Sequence, residues 1–416
     1  MSASGMRRVL MLVENNSYPR DTRVRQEAEA LTAAGYRVAV VAPRAPGRPW
    51  RETMHGVSLY GYPAPRPGNG LLGYLWEYGY SFAAAAVLSL WVLVDHGFDV
   101  ILAANPPDTF WLLAAPYRLF GRRFIYDHHD LAPEMYGARF DAAPNPVVLK
   151  ILLLFERLSY RVAHHVIVTN RSYRDLAVER GGLRDDQVTI VRNGPDLGIL
   201  REVPPHPEVL HPGKTIIGYV GSIGFHDGVD YLLRALDVLV HDLGRTDFHC
   251  LVVGAGDALG EMRALATTLE IDRYVTFTGW VAHQEVAAFL AAADICVAPE
   301  PSNAYNDRCT VIKMMEYMAL GKPIVAFDLP EHRYSAQDAA LYAPANSTEE
   351  MARRIAELMD DPARRAEMGA RGVQRVRDEL AWNHQKPHLL RALERVTQPE
   401  SHHVDGGRTG ERLARE

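Results

Sequence analysis

A chain of 416 residues is too long for one ordinary core and implies two domains or three. Its 48% hydrophobic and 23% charged content excludes disordered and fibrous classes. The formal net charge of -6 argues against a general nucleic-acid binder, which carries a basic excess. Cys250, Cys296 and Cys309 share no metal-ligand spacing and read as reduced thiols of a cytoplasmic protein. The short polar run before Val9 leads to no secretory h-region.

In chain order, a buried strand is expected at 9–13, a helix at 23–34 closed by Gly35, and a strand at 38–42 ended by Pro43. A Pro/Gly-rich loop over 43–70 holds one short strand at 57–60. A long apolar helix follows at 71–95. Its charge-free stretch from Tyr78 to Val94 is near the lower limit for a membrane span, but Gly79, Ser81, Ser89 and a run of alanines dilute it. A buried helix is therefore expected, with shallow membrane contact as the alternative. Strands at 100–104 and 124–127 flank a helix at 109–120. A second apolar helix at 147–163 leads to strand 166–169, helix 172–180 and strand 188–191. Residues 201–213, with four prolines and two histidines, read as a linker. The alternation then restarts, with strands at 215–220, 248–253, 275–278, 295–298, 323–326 and 340–342 and helices between. This is an α/β pattern of two parallel sheets, each covered on both faces. The division is an N-terminal domain over 1–200, a C-terminal domain over 214–378, an amphipathic helix within 379–397 and a disordered tail over 398–416.

Ligands of open α/β sheets sit where strand ends enter helix N-termini. In the second domain Gly221, Ser222 and Gly224 follow one strand, Gly254 and Gly256 a second, and Gly279 and Val281 a third. Glycine lets a backbone approach a phosphate, and turn amides then donate to it. One such turn is as often plain punctuation; three on one sheet edge suit a nucleotide lying along it. Segment 298–328 is the most informative. A loop carrying Arg308 enters a helix near Thr310, Val311 and Ile312, whose unpaired amides suit a diphosphate, with Lys313 as an added point charge. Glu316, on an otherwise apolar helix, is either a surface glutamate or a carboxylate accepting from the vicinal hydroxyls of a ribose.

In the first domain Asp127-His128-His129-Asp130 closes a strand, with Glu134 just beyond. Packing does not explain four ionisable groups in a row. Metal binding and sugar hydrogen bonding both stand; the second is preferred, with His129 as the contact, because the four side chains share no face. Arg20 and Arg23 follow the first strand and are expected to face the cleft as cations, a solvated helix start being the alternative. Asn105 holds the equivalent place after another strand.

The run Lys313-Met314-Met315-Glu316-Tyr317-Met318-Ala319-Leu320-Gly321-Lys322-Pro323 resembles the retaining GT-B glycosyltransferases of family 4, and the likeness extends over nearly the whole chain. Val253-Gly254-Ala255-Gly256-Asp257 and Ala293-Asp294-Ile295-Cys296-Val297-Ala298-Pro299 support it. Segments 18–27, 127–134 and 227–230 look like a subgroup found in bacterial surface-polysaccharide clusters. The resemblance implies two Rossmann-like domains facing a cleft, with the C-terminal helix crossing back to the first domain. It implies transfer of a sugar from a nucleoside diphosphate sugar, UDP favoured, to a glycan or lipid-linked acceptor, with retention and with no metal or other cofactor. The donor-binding set is then Gly221, Ser222, Gly224, Gly254, Gly256, Val281, Thr310, Val311, Ile312 and Glu316, the last on the ribose. His129, Asp130, Arg308 and Lys313 are the catalytic set, and Arg20, Arg23, Asn105 and Glu134 face the acceptor.

Three departures stand out. The family's arginine after the first C-terminal glycine is Ser222, its lysine before a later glycine is Asp227, and the first glutamate of its pair is Arg308. Arg308, Lys313 and His226 are expected to compensate. Competing readings are a sugar-nucleotide 2-epimerase of the same architecture and an inactive nucleotide-sugar-binding protein. The expected location is cytoplasmic. It is at the inner face of the membrane if the helices carrying Trp76, Phe82, Trp91 and Lys150 rest on a bilayer rather than in a core. No nucleic acid is expected.

Overall fold

The structure, a computed structural model, describes residues 7–65, 70–139, 144–198, 203–209 and 211–397. The expected tail over 398–416 and linker residues 201, 202 and 210 lie outside the described residues.

Short Val/Ile/Ala-rich runs buried on both faces make parallel strands sandwiched between helices. The first sheet contains β1 (Arg8–Leu12), β2 (Arg37–Arg44), β3 (Arg51–Met54), β4 (Val57–Pro63), β5 (Val100–Ala104), β6 (Arg123–His128), β7 (His165–Val168) and β8 (Val188–Ile190). Its order is β3-β4-β2-β1-β5-β6-β7-β8. Only β3 is antiparallel, pairing Arg51 with Tyr60. No strand was expected at 51–54. The run is short, half-exposed and charged, as suits a sheet edge. The helices of this half are α1 (Thr22–Ala33), α2 (Gly70–Asp95), α3 (Phe110–Leu119), α4 (Ala132–Arg139), α5 (Pro146–Val162) and α6 (Arg171–Gly181).

The second sheet contains β9 (Thr215–Val220), β10 (Phe248–Val253), β11 (Val275–Gly279), β12 (Ile295–Ala298), β13 (Ile324–Phe327) and β14 (Ala340–Ala343), in the order β11-β10-β9-β12-β13-β14. Between and after them run α7 (Val229–Asp237), α8 (Leu259–Thr268), α9 (His283–Ala292), α10 (Ile312–Ala319), α11 (Pro330–Ala336), α12 (Thr348–Asp360) and α13 (Pro362–Arg375). The strand order reverses between β9 and β12, so the loops after those two strands diverge and leave a crevice.

The last helix, α14 (Trp382–Thr397), leaves the second domain and packs on the first. Trp382, Leu389, Leu393 and Val396 join Val9, Met11 and Val191 in one core. Gly194 permits the crossing, because a Cβ there would meet the Leu380 carbonyl at 2.3 Å. The crossing helix expected from the resemblance is present.

The expectation of a buried α2 is overturned. Only 22% of its apolar window is buried, and Val87, Leu90, Trp91 and Val94 face outward. Ala85, Ser89 and Val92 make the inner face. Apolar residues all round the helix hid this division, since periodicity names a face only when the other face is polar.

Candidate active site

Apart from the packing of α14, the polar contacts described here between the domains come from residues in the loops or first helical turns that follow strands, so the carboxyl ends of the two sheets face each other. The Tyr305 hydroxyl, beyond β12, donates to Asp130 Oδ1, beyond β6, at 3.1 Å. Asn170, beyond β7, donates to the Arg308 carbonyl at 2.7 Å and to Thr310 Oγ1 at 3.0 Å. Ser172 Oγ donates to Glu331 Oε1 at 3.1 Å, and Arg192 Nη1 lies 3.3 Å from Glu331 Oε2. The Arg192 guanidinium also stacks 3.8 Å from the Tyr334 ring centre. This is a cleft closed by polar latches.

On the second-domain side, α10 forms because Met314, Met315, Tyr317 and Met318 bury one wide face. Its N-cap, Val311, has no side-chain oxygen to offer. Among the described residues the amides of Thr310, Val311, Ile312 and Lys313 meet no acceptor, so the helix start presents a free cluster of donors. Glu316 follows one turn on, half-buried, with no hydrogen bond or ion pair for its carboxylate among the described residues. Burial raises its pKa above the usual carboxylate range, opposed by Lys313. The hydroxyl of Thr310 is occupied, donating to Glu331 Oε2 at 3.1 Å.

Lys313 was expected as a free cation for a diphosphate. It is instead buried, with Nζ 2.6 Å from Glu300 Oε1 and donating to the Tyr219 hydroxyl at 3.0 Å. Burial opposes its charge, yet Glu300, with Tyr219 and Asp227, holds the ammonium well above its ordinary value. It stays charged and already balanced. Arg308 is half-buried and donates to the Ala304 carbonyl at 2.7 Å.

The glycine turns are explained by packing first. Gly221 and Gly254 have φ near +148° and +145°, and a Cβ on Gly254 would come within 1.9 Å of the Gly221 carbonyl oxygen. Gly256 is pressed the same way against Ile223. The amides of Gly221, Ile223 and Gly224 already donate to Val253 O, Ala255 O and Asp227 Oδ2, so this turn offers few donors to a phosphate. Ser222 is exposed on its tip. Val281 lies beyond β11 on the outer strand, partly packed, beside an exposed Trp280.

On the first-domain side, Arg23 was expected to face the cleft, but it is buried. Its Nη2 meets Asp127 Oδ1 at 2.7 Å, its Nε meets Glu27 Oε1 at 3.1 Å, and its Nη1 donates to the Val191 carbonyl at 2.7 Å. A cation on a helix start is drawn inward here because the buried Asp127 carboxylate needs it. Burial favours neutral carboxyls, but Arg23 and His129 pull Asp127 below its usual range; burial and the neighbouring Asp127 push Glu27 well above it. Asp127 therefore keeps the charge and Glu27 the proton. Ligand atoms of Glu27, Asp127 and His129 converge within 4.8 Å, and the Arg23 guanidinium already supplies the positive charge among them.

His129 Nε2 lies 2.5 Å from Asp127 Oδ2 and 2.8 Å from Arg23 Nε, which together hold the ring in place at the end of β6. Asn105 is buried; its Oδ1 accepts from the backbone amides of both His129 and Asp130, and its Nδ2 donates to the Asp130 carbonyl at 2.7 Å. It positions the loop and is no acceptor contact. Glu134 is ion-paired to Arg180 beside Glu156, so it too is structural. Arg20 is exposed, with no side-chain partner among the described residues. Asp130 is raised by burial, with His129 and Tyr305 opposing.

Sequence reasoning missed Tyr305, Glu300, Glu331, Arg192, Asn170 and Glu27. Glu300, Asn170 and Arg192 each lie within two residues of a strand end, where the strand-end rule could have found them. Tyr305 and Glu331 owe their roles to the facing domain, and nothing local marks them.

Two parallel α/β domains, their strand ends facing across a cleft and one helix crossing back, define the GT-B class of glycosyltransferase. Residues 21–194 match the family model described as glycosyl transferase 4-like domain, and residues 214–361 the one described as glycosyl transferases group 1. The chain is 27% identical to 2-deoxystreptamine glucosyltransferase of Streptomyces kanamyceticus, over 89% of this chain and 97% of that one. It is 26% identical to phosphatidyl-myo-inositol mannosyltransferase of Mycolicibacterium smegmatis, over 90% of each. Sucrose-phosphate synthase from Thermosynechococcus elongatus superposes with a TM-score of 0.76 at 19% identity, over 94% of this chain and 99% of that one. The chain belongs to the GT-B glycosyltransferases of family 4 and is an enzyme of the hexosyl-transferring type.

Proposed function

We propose that this glycosyltransferase takes its sugar from a nucleoside diphosphate sugar and passes it, with retention, to a glycan or lipid-linked acceptor in bacterial polysaccharide or glycoconjugate synthesis. One observation carries the donor reading. The uncapped start of α10 and Glu316 one turn later, unpartnered among the described residues, lie at the strand-order reversal, beyond the loop whose Tyr305 meets Asp130 across the cleft. Free amides suit a diphosphate, and a carboxylate suits the two hydroxyls of a ribose. The departing diphosphate gains negative charge, so donors fixed in advance along α10 act most strongly in the transition state. Lys313, balanced by Glu300, contributes as an oriented pair and not as a bare cation. His129, its ring held by Asp127 and Arg23, is the contact for a hydroxyl entering from the first domain. Retention by front-face attack and uridine as the base rest on the family resemblance. No metal is proposed.

The lipid-linked acceptor is supported by the mannosyltransferase relative, whose name specifies a phosphatidyl-inositol acceptor. It is supported again by the outer surface of the first domain. Trp91 and Val94 of α2, Leu119 and Phe120 beside α3, and Ile151 and Leu154 of α5 are exposed, with Lys150, Arg157 and Arg161 also exposed on α5. An apolar face edged with cations fits the inner, anionic leaflet of a membrane, and a cytoplasmic enzyme resting there is the location proposed.

Calorimetric titration of UDP, GDP and ADP into the wild type and Glu316→Ala tests the donor site. Tight binding of one nucleotide, weakened roughly tenfold or more in the mutant, is expected. Equal binding by both proteins sinks the ribose assignment, and no binding by the wild type sinks the donor class.

A further inference from the structure

We propose that the first domain carries a subsite for an ammonium group, borne by an amino sugar of the acceptor, at Glu14 and Glu77. Glu14 lies two residues beyond β1, at the carboxyl edge of the sheet that faces the cleft. It is 6% exposed and forms no ion pair among the described residues. Burying a carboxylate without a cation is costly, and the neighbouring charge that acts on this one, Glu77, is also negative. Burial pushes the Glu14 pKa up to about 7, with Ser81 opposing and the like charge of Glu77 adding. A carboxyl held there for want of a counter-charge regains its full charge when a cation arrives.

Two further polar groups converge there. Ser81 of α2 and Tyr62 of β4 are buried, and neither hydroxyl completes a hydrogen bond. Ser81 stands beside both the Glu14 carboxyl and the Tyr62 phenol, and the phenol in turn feels Glu14 and Glu77. Buried polar groups of a folded chain are nearly always matched, so three unmatched ones from three elements point to a ligand. The shape of α2 explains how the carboxylates meet. It runs antiparallel to the strands, from the end of β4 to the start of β5, with Glu77, Ser81, Ala85, Ser89 and Val92 at the spacing of one helical stripe. Its 26 residues span about 39 Å, against roughly 17 Å for the 5 of β1, so its early turns overhang the carboxyl edge.

Aromatic rings select an ammonium on a sugar over a bare cation. The Tyr80 ring lies 6.3 Å from that of Tyr62 and 5.7 Å from that of Trp76. Trp76 is exposed and Glu77 half-buried, so the cluster opens to solvent along this row of rings. Ring faces attract organic cations, whereas a hard metal ion takes oxygen ligands alone. Position agrees, and here the inference rests on the acceptor reading above. Two strand spacings separate β1 from β6, roughly 10 Å along the sheet edge from Glu14 to His129. A saccharide with its reacting hydroxyl at His129 and an amino group on the same or the next ring spans that gap.

Ligand-observed NMR of the full chain near neutral pH, with glucosamine and galactosamine set against glucose and galactose, tests the site. An amino sugar should bind roughly tenfold or more tighter than its neutral parent, and Glu14→Gln and Glu77→Gln should each remove most of that preference. N-acetylglucosamine, which keeps the ring and loses the charge, should bind no better than glucose. Nucleotide binding should persist in both variants, which guards against misfolding and keeps the two readings apart. Nucleotide binding by the wild type without any preference for an amino sugar overturns this inference and leaves the donor reading standing. A preference that survives both substitutions overturns it as well. Ethanolamine distinguishes the source of the ammonium. Its failure to displace glucosamine at equal concentration supports a sugar, and displacement overturns the amino-sugar assignment in favour of a lipid headgroup.

Discussion

A Cβ on Gly254 has nowhere to go, since the Gly221 carbonyl oxygen occupies its place and the backbone is in a region that side chains rarely adopt. Gly254→Ala is expected to cost at least about 2 kcal/mol in denaturant unfolding; a midpoint like that of the wild type would mean the two turns are not in contact. Glu316 gives a prediction of a different kind. Its raised pKa means that protonation begins above the ordinary carboxylate range as pH falls, and the neutral acid accepts poorly from two hydroxyls. Nucleotide affinity should fall on the acid side in the wild type, and this limb should vanish in Glu316→Gln. Affinity that stays flat down to the ordinary carboxylate range would remove Glu316 from the donor site. At this scale the sequence was a partial guide. It singled out Glu316 by its isolation on an apolar helix, but it could not see that Lys313 and Arg23 had buried carboxylates waiting for them.

Among the elements, α14 and β7 carry a shared electrostatic consequence. His165 of β7 is buried, hydrogen-bonded to Thr189 at 2.8 Å, and sits near Arg395 of α14. Burial first, and Arg395 second, lower its pKa from 6.5 to about 4. Between those values the unfolded chain binds a proton that the folded chain refuses, so this histidine's contribution to stability is lost as pH falls from 6.5 toward 4. It amounts to something on the order of 1–3 kcal/mol. Thermal unfolding of His165→Gln should lose that part of the acid sensitivity; parallel pH curves for the two proteins would place the effect elsewhere. Element positions were the most legible feature of the sequence, because buried parallel strands announce themselves as short apolar runs. What escaped was β3, too short and polar to be told from loop, and α4, which has little periodicity in its eight residues.

For the whole molecule, closure depends on a few latches between loops. Glu331 is the hub, taking Arg192 and Ser172 from one domain and Thr310 from its own. Because Thr310 leads into α10, the helix proposed for the donor, closing the cleft and ordering the amides at its start are expected to be one event. Removing the carboxylate leaves Arg192 buried and unbalanced, a loss of about 3–5 kcal/mol where a pair is fully buried. Glu331→Ala should therefore adopt a more open average shape, with a larger radius of gyration in solution scattering and slower turnover. A scattering curve identical to that of the wild type would show that α14 and the remaining latches hold the domains closed without Glu331.

The sequence by itself determined the alternation of strands and helices, the two-sheet architecture, and the helix and glutamate proposed for the donor. Each of these is local, written in periodicity, glycine placement or a contiguous motif. Tertiary structure decided which charges are spent inside and which remain for a ligand, because that depends on partners over a hundred residues away, as with Arg23 and Asp127 or Arg192 and Glu331. It also decided which face of α2 is bare: hydrophobicity records what a side chain prefers, and only packing records whether the preference is met.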